Sequence, residues 1–217
     1  MYLPKTPNFI RNLFPNYTWK IPVEEKILFL TFDDGPVPEV TPQVLEILDD
    51  FDAKATFFAV GQNVQRNREI FDHILESDHS VGNHTFHHLN GWNEDNIAYF
   101  HDVRYAARLT GSTLFRPPYG KLKPAQSQFL QRHYRIVMWD VLSGDFDRNT
   151  SAERCVLNVT QNAEPGSIIV FHDSIKSASK VLYALPKVLA HFKNLGFEFH
   201  ALSMSQTRVV ETEALVL

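Results

Sequence analysis

Apolar and polar positions along this chain form blocks that predict strands followed by helices. Residues 27–32 are a continuous apolar and β-branched run that ends in charged residues, which is typical of a buried strand in a parallel sheet. Thr41 and Pro42 predict the N-cap and first turn of a helix, because the apolar residues after them recur at helical spacing. Further strands are predicted at 55–60, near 81, at 136–139, at 167–171 and near 197; further helices are predicted at 70–75, 93–109, 125–132, 152–162 and 181–192.

This alternation continues over the whole length and predicts an α/β fold with a parallel sheet. The pattern leaves two topologies open, a doubly wound open sheet and a barrel with fewer than the usual eight units. In both, active residues lie at the carboxyl ends of the strands. Four polar clusters follow predicted strands, and we expect them to meet at one mouth: Asp33-Asp34, His84 to His88, Asp140 to Asp145, and His172-Asp173.

Length and composition predict a single domain, because 217 residues with 44% apolar content can bury one substantial core. We interpret residues 1–24 as an N-terminal extension packed on a domain at 25–217. The 21 Lys and Arg against 25 Asp and Glu give a net charge of −4, and no basic run is present, which argues against nucleic acid as a partner. The lone Cys155 excludes an intramolecular disulfide. We expect a monomer.

Neither a signal peptide nor a membrane span is visible in the sequence. Cytoplasmic residence is therefore the default expectation, and action at the cell envelope stays open if a leader is missing or export is non-classical. The amphipathic stretch 9–19 is interpreted as a surface helix packed on the domain rather than a membrane contact.

The first cluster, Thr31-Phe32-Asp33-Asp34-Gly35-Pro36, places two carboxylates side by side. Adjacent acids repel, and the pairing makes chemical sense if one carboxylate binds a cation while the other stays free to accept a proton. The structural alternative is a solvated turn in which an Asp caps the next helix. This motif alone does not decide between them.

The second cluster, His84-Thr85-Phe86-His87-His88, places two imidazoles four positions apart. On one helical turn His84 and His88 would face the same side and could share a divalent ion. Two histidines and one carboxylate leave coordination positions open for water and substrate, as a catalytic metal site requires. We expect His87 to point elsewhere. A surface pair is the alternative, since the chain has 10 His.

Three later clusters are the segments 116–120 (RPPYG), 139–146 (WDVLSGDF) and 168–173 (IIVFHD). Taken singly, they also fit a Pro-rich loop, a surface turn and a core strand that ends in a solvated pair. Chance is unlikely to place five clusters in this order, each at a strand end.

In that order, the motifs from Thr31 to Asp173 resemble the polysaccharide deacetylase family, also called the NodB-homology domain or carbohydrate esterase family four. The resemblance implies a distorted (β/α) barrel with fewer than eight strands as the catalytic domain. It also implies hydrolysis of N-acetyl groups on a chitin-like or peptidoglycan-type glycan, or of O-acetyl groups on xylan. The implied cofactor is one divalent metal ion, zinc first, with cobalt, nickel or manganese as alternatives.

The resemblance also implies a division of roles among the site residues. Asp33 would be the general base that takes a proton from water, oriented by Arg116. The metal ligands would be Asp34, His84 and His88. The backbone N–H of Tyr119, with the metal, would stabilise the oxyanion.

On the leaving-group side, His172 would protonate the departing amine and Asp145 would tune it. The substrate would contact Pro117, Pro118, Tyr119, Phe146 and Val170. Here Phe146 stands where the family usually has Trp, and Val170 where it has Leu. Both replacements are apolar, and we expect them to reshape the pocket for the acetyl methyl group without removing it. The family often has an acid three residues before the tuning aspartate, where this chain has Leu142.

Two other classes of protein compete with this interpretation. A binding protein that keeps the sugar groove without turnover is disfavoured by the intact Asp33, metal ligands and His172. A serine hydrolase is disfavoured because the chain contains no G-x-S-x-G nucleophile elbow.

Overall fold

The computed structural model describes residues 2–203 of the chain. It contains eight α-helices: α1 Asn8–Leu13, α2 Thr41–Asp50, α3 Gly61–Arg66, α4 Arg68–Glu76, α5 Asn96–Thr110, α6 Pro124–Leu130, α7 Ala152–Thr160 and α8 Ala178–Asn194. The strands are β1 Ile27–Asp33, β2 Ala55–Ala59, β3 Ser80–Asn83, β4 Leu114–Phe115, β5 Arg135–Ile136, β6 Val141–Leu142, β7 Ile168–His172 and β8 Glu198–Phe199.

Seven of these strands follow one another in the order β5-β4-β3-β2-β1-β7-β6, all paired in parallel. The short β8 pairs with the start of β1, off this path. The seven strands curl into a half-barrel surrounded by helices. The predicted distorted (β/α) barrel is thereby confirmed, and the doubly wound alternative is wrong.

Successive side chains of β1 point to opposite faces of the sheet, one facing the surrounding helices and the other facing the inside of the barrel. Leu28, Leu30 and Phe32 pack in the main core with residues of α2 and α8. The intervening Phe29 packs in a separate cluster inside the barrel. Asp33, four positions after Phe29, lies on the same inner face at the carboxyl end of β1. Its carboxylate therefore lies at the barrel mouth.

The N-terminal segment, residues 2–24, forms backbone hydrogen bonds with the end of β5 and with the chain between β5 and β6. The amide of Thr6 donates to Asp140, that of Thr18 to Ile136, and that of Met138 back to Thr18, at 2.8, 2.9 and 2.7 Å. These bonds cover the region where the two ends of the strand order approach each other. The domain boundary at residue 25 stays a prediction.

Several local predictions are wrong. The surface helix predicted over 9–19 is shorter, Asn8–Leu13; none of its residues is fully buried, but Ile10 packs against a core cluster, and backbone hydrogen bonds on either side of the helix also hold the segment. Thr41 is the first residue of α2 and not its N-cap, which is Val40. The strand predicted at 136–139 breaks after Ile136. Among residues 2–203 no helix is long and apolar enough to cross a membrane.

Candidate active site

Asp33 is buried at the end of β1 and held by the fully buried guanidinium of Arg116. Arg116 Nη1 donates to Asp33 Oδ1 at 2.6 Å and to Thr31 Oγ1 at 2.8 Å. Its other nitrogens donate to the carbonyls of Val137 and Met138, and its guanidinium stacks 4.1 Å above the ring of Phe58. A buried charge pair with this many bonds is fixed in place. Asp33 Oδ1 is therefore occupied by Arg116.

Asp34 begins the sharp turn after β1 and has a φ of 87°, a conformation that L-residues other than Asn and Asp rarely adopt. Asn63 Nδ2 donates to the Asp34 carbonyl at 2.8 Å. Asp173 accepts from the Gly35 amide at 2.9 Å and from Thr41 Oγ1 at 2.6 Å. The turn is thus held from α3 on one side and from the end of β7 on the other.

His84 and His88 lie on a loop after β3 and not on a helical turn, so that prediction is wrong. The loop turns at Thr85 and His88, whose φ values are 62° and 57°. These left-handed residues bring the two rings to a centroid distance of 5.1 Å. The side chains converge as expected, but by a turn rather than by helical periodicity.

Asp102 of α5 anchors this loop from below. One of its oxygens accepts from the amides of Phe86 and His87 at 2.7 and 2.9 Å, and the other lies 2.5 Å from His87 Nδ1. His87 therefore points away from His84 and His88, towards α5. Since the loop is bound at its middle, its two ends keep a fixed separation.

Asp34, His84 and His88 offer one ligand atom each, and these atoms lie within 4.8 Å of one another. His84 Nδ1 donates to the Arg116 carbonyl at 2.8 Å, which fixes the tautomer and leaves Nε2 as the free lone pair. Burial lowers the pKa of His84 to about 4, so the ring is neutral at pH 7.

The Asp34 carboxylate supplies a direct test of whether these residues fit a cation. Its Oδ1 is buried and has no hydrogen-bond partner, yet it lies 3.2 Å from His88 Nε2 and 3.9 Å from His84 Nε2. A buried oxygen of this kind is costly unless something binds it. One carboxylate and two imidazoles are ligands that a divalent ion such as zinc accepts, so the residues fit the metal.

On the opposite side of the mouth, β7 ends at His172, which pairs with Asp145. His172 Nδ1 donates to Asp145 Oδ1 at 2.8 Å, and the His172 amide donates to Oδ2 at 2.7 Å. Burial lowers the pKa of His172, but the charge and hydrogen bond of Asp145, with the carboxylates of Asp34 and Asp33, raise it to about 10 overall. The ring is therefore a cation at neutral pH, with Nε2 left to face the site.

The residues expected to contact substrate differ in exposure. Tyr119 is 60% exposed with a φ of 60°, and its ring meets the edge of His88 at 4.8 Å. Phe146 is 41% exposed and packs 5.2 Å from His172. Pro117 and Pro118 are buried, so they shape the loop below Tyr119. Val170 is buried two positions before His172, on the same face of β7.

The expectation that the whole cluster from Asp140 to Asp145 points to the mouth is wrong for Asp140. Its carboxylate binds Lys5, Arg11 and Ser167, and Ser167 directly precedes the first residue of β7. Asp140 therefore lies at the opposite end of β7 from His172. The strand β6 separates it from Asp145.

Sequence reasoning did not find Asn63 and Asp102, which help to hold the site in shape, and did not predict this role for Asp173 or for the hydroxyl of Thr41. Each acts through a hydrogen bond to a residue distant in the chain. Only Asp173 carried a signal, since it follows His172 directly in the last motif. The others stand in helices and look like ordinary surface or capping residues.

Residues 20–134 match the family model described as polysaccharide deacetylase. The chain belongs to this family. It is 36% identical over 193 residues to a peptidoglycan-N-acetylglucosamine deacetylase from Bacillus cereus strain ATCC 14579, with 86% of this chain and 91% of the relative covered. The family predicted from the motifs is confirmed.

Two further members of this deacetylase family illustrate the range of relatives. A chitooligosaccharide deacetylase from Azorhizobium caulinodans is 32% identical over 162 residues, covering 71% of this chain and 77% of the relative. A crystal structure of a peptidoglycan N-acetylglucosamine deacetylase superposes with a TM-score of 0.80 at 30% identity, covering 91% of this chain and 95% of the other.

Proposed function

We propose that this polysaccharide deacetylase hydrolyses N-acetyl groups on a chitin-like or peptidoglycan-type glycan, with a divalent metal held by Asp34, His84 and His88. The observation that carries the proposal is the unbonded Asp34 Oδ1 between two imidazoles, directly beside a carboxylate that is fixed by a buried arginine. Residues that would hold a cation and a residue that can accept a proton thereby lie at neighbouring positions, as amide hydrolysis by metal-activated water requires.

Asp33 is the general base in this proposal. Arg116 occupies Oδ1, while Oδ2 lies 4.0 Å from His84 Nε2 and so faces the metal ligands. Oδ2 is the atom that accepts the proton from the attacking water. The guanidinium also orients Asp33 and occupies its Oδ1, so that the carboxylate does not itself join the ligand set.

A divalent ion bound here would lower the pKa of water and polarise the acetyl carbonyl. Zinc is the first choice because two imidazoles and one carboxylate suit its ligand preferences, with cobalt, nickel and manganese as alternatives. The hydrogen bond from His84 Nδ1 to the Arg116 carbonyl leaves Nε2 unprotonated, so Nε2 is the atom that would bind the metal. The backbone N–H of Tyr119 is proposed to donate to the oxyanion, since the left-handed turn there lies beside His88.

His172 is the general acid. Its Nδ1–H is committed to Asp145, and the protonated Nε2 gives its proton to the departing amine. An amine is a poor leaving group unless it is protonated, so a histidine that stays cationic at neutral pH suits the step. Phe146 makes a T-shaped contact with this ring, and Val170 lies two positions earlier on the same face of β7.

The substrate class rests on the relatives, which include peptidoglycan and chitooligosaccharide deacetylases. Deacetylation of O-acetyl groups on xylan-type glycans is the alternative, since a bifunctional xylanase/deacetylase from Pseudobutyrivibrio xylanivorans is 30% identical to this chain. The monomeric state and the cytoplasmic default, with action at the cell envelope left open, stay predictions.

Acetate release tests the proposal. The purified protein is incubated with N-acetylglucosamine oligomers, peptidoglycan fragments and acetylated xylan, each with and without a chelator. We expect release from one of the two N-acetylated substrates, its loss with the chelator, and its return when zinc is added. Release from xylan alone would favour the O-acetyl alternative, and no release from any substrate would contradict the proposal.

A further inference from the structure

Tyr2 lies at the N-terminal end of the described residues. It packs against the loop that carries Asp145 and Phe146, the two residues in contact with the proposed general acid His172. Its ring centroid is 5.1 Å from that of Phe146. Its hydroxyl lies 2.9 Å from Thr150 Oγ1 and accepts from Asn158 Nδ2 at 3.0 Å. Tyr2 therefore contacts the loop that carries Asp145 and Phe146.

These hydrogen bonds tie the two ends of the loop 143–150 together. Asn158 Nδ2 also donates to the Ser143 carbonyl at 2.8 Å, and Thr150 ends the same loop. The fit is close, because a Cβ added to Gly144 would lie 1.8 Å from the Tyr2 hydroxyl oxygen. Gly144 also has a φ of 84°, which favours glycine. The Tyr2 hydroxyl thus packs directly on the backbone of Gly144, where no larger residue would fit.

Phe146 contacts both Tyr2 and His172. Its ring centroid lies 5.1 Å from that of Tyr2 and 5.2 Å from that of His172. Phe146 is 41% exposed, so few other contacts hold its outer face. Without the Tyr2 ring, Phe146 would be free to swing outward from His172.

We propose that Tyr2 is a positioning residue for acyl selectivity: it holds Phe146 against His172 and so narrows the pocket that Phe146 is expected to form around the acetyl methyl group. This inference rests on the proposed deacetylase function. An acetyl group fits the narrow site, whereas a propionyl group, larger by one methylene, is excluded by it. One methylene is worth a discrimination of roughly 10- to 200-fold in a well-packed pocket.

The experiment compares kcat/KM for N-acetylated and N-propionylated glucosamine oligomers in the wild type, Tyr2→Ala and Tyr17→Ala. We expect Tyr2→Ala to raise the propionyl-to-acetyl ratio by roughly 10-fold. Tyr17 is the matched control, since it lies in the same N-terminal segment but bonds Ser127 at 2.7 Å and packs on Phe14 and Trp19. We expect Tyr17→Ala to leave the ratio unchanged.

Tyr2→Phe keeps the test decisive if Tyr2→Ala does not fold. It retains the ring but loses both hydroxyl contacts, so we expect a rise in the ratio of about 2-fold. An unchanged ratio in folded Tyr2→Ala, or in Tyr2→Phe where Tyr2→Ala is unfolded, would overturn the inference. Wild-type protein that releases no acetate would instead contradict the proposed function.

Discussion

Two carboxylates, Asp140 and Asp34, lie at opposite ends of the barrel, and they differ in how their oxygens are satisfied. Asp140, fully buried, accepts from Lys5 Nζ at 2.9 Å and Ser167 Oγ at 2.5 Å through Oδ2, and pairs with Arg11 through Oδ1. Asp34 at the mouth has a buried Oδ1 with no hydrogen-bond partner, although two imidazoles stand close to it.

The difference separates a structural carboxylate from a functional one. At Asp140 the charge is neutralised by cations of the N-terminal segment, so nothing further can bind there and the cluster fixes that segment to the barrel. At Asp34 the carboxylate oxygen and the ligand nitrogens of His84 and His88 lie within 4.8 Å of one another, and Oδ1 has no hydrogen-bond partner. Polar groups left unsatisfied in this way are expected where a ligand completes the site.

The largest effect is expected from removal of an imidazole ligand. His84→Ala or His88→Ala should lose the bound ion and lower kcat/KM by roughly 10³-fold or more, since metal polarisation contributes several kcal/mol and each 1.36 kcal/mol is tenfold in rate. Metal content is measured by elemental analysis and folding by circular dichroism. His101→Ala, an exposed histidine on α5, is the control and should change neither. Unchanged metal content in the His84 and His88 variants would remove Asp34, His84 and His88 as the ligand set.

Asp140→Asn should have the opposite effect to the histidine variants: the protein should lose stability but keep its bound metal. Removing this buried charge leaves Lys5 and Arg11 without their shared partner, so we expect a loss on the order of 3 kcal/mol in the free energy of unfolding. Urea unfolding measures it. Lys5→Ala, which removes a partly exposed member, should cost less. A variant with wild-type stability would show that this cluster does not anchor the segment.

Sequence reasoning predicted the strand ends well because a continuous apolar run followed by charged residues is characteristic of a buried strand that ends at a polar mouth. It found Asp33, Asp34 and His172 for that reason. It was wrong about the helical geometry of His84 and His88, because four-residue spacing is shared by a helical turn and by a loop with left-handed residues at Thr85 and His88.

The supporting contacts could not be read from the sequence, because they join positions far apart in the chain. Asp102 binds the loop of His87 from α5, fifteen positions away, and Tyr2 meets Phe146 across most of the chain. Asp140 and Asp145 look alike in sequence, but β6 lies between them and sends them to opposite ends of the barrel. Their different partners decide their roles.

A smaller effect is expected from Asp145→Asn, which tests the pairing of His172. The carboxylate of Asp145 helps to raise the pKa of His172 to about 10, so removing its charge should lower that pKa by at least about one unit. Because the acid must be protonated, the basic limb of the pH–rate profile should move to lower pH, while the rate near pH 6 changes least. A basic limb that stays in place would show that His172 is not the acid.

The most direct test of the central claim compares two neighbouring carboxylates, Asp33→Asn and Asp34→Asn, by zinc titration of the apo proteins with acetate release followed in parallel. Asp33→Asn should bind zinc as the wild type does yet lose about 10²- to 10⁴-fold in kcat at every zinc concentration, because the ligands remain and the base does not. Asp34→Asn should bind zinc more weakly and recover part of its activity as zinc is added, because a neutral amide oxygen is a poorer ligand than a carboxylate. Loss of zinc from Asp33→Asn, or wild-type zinc affinity in Asp34→Asn, would contradict the account.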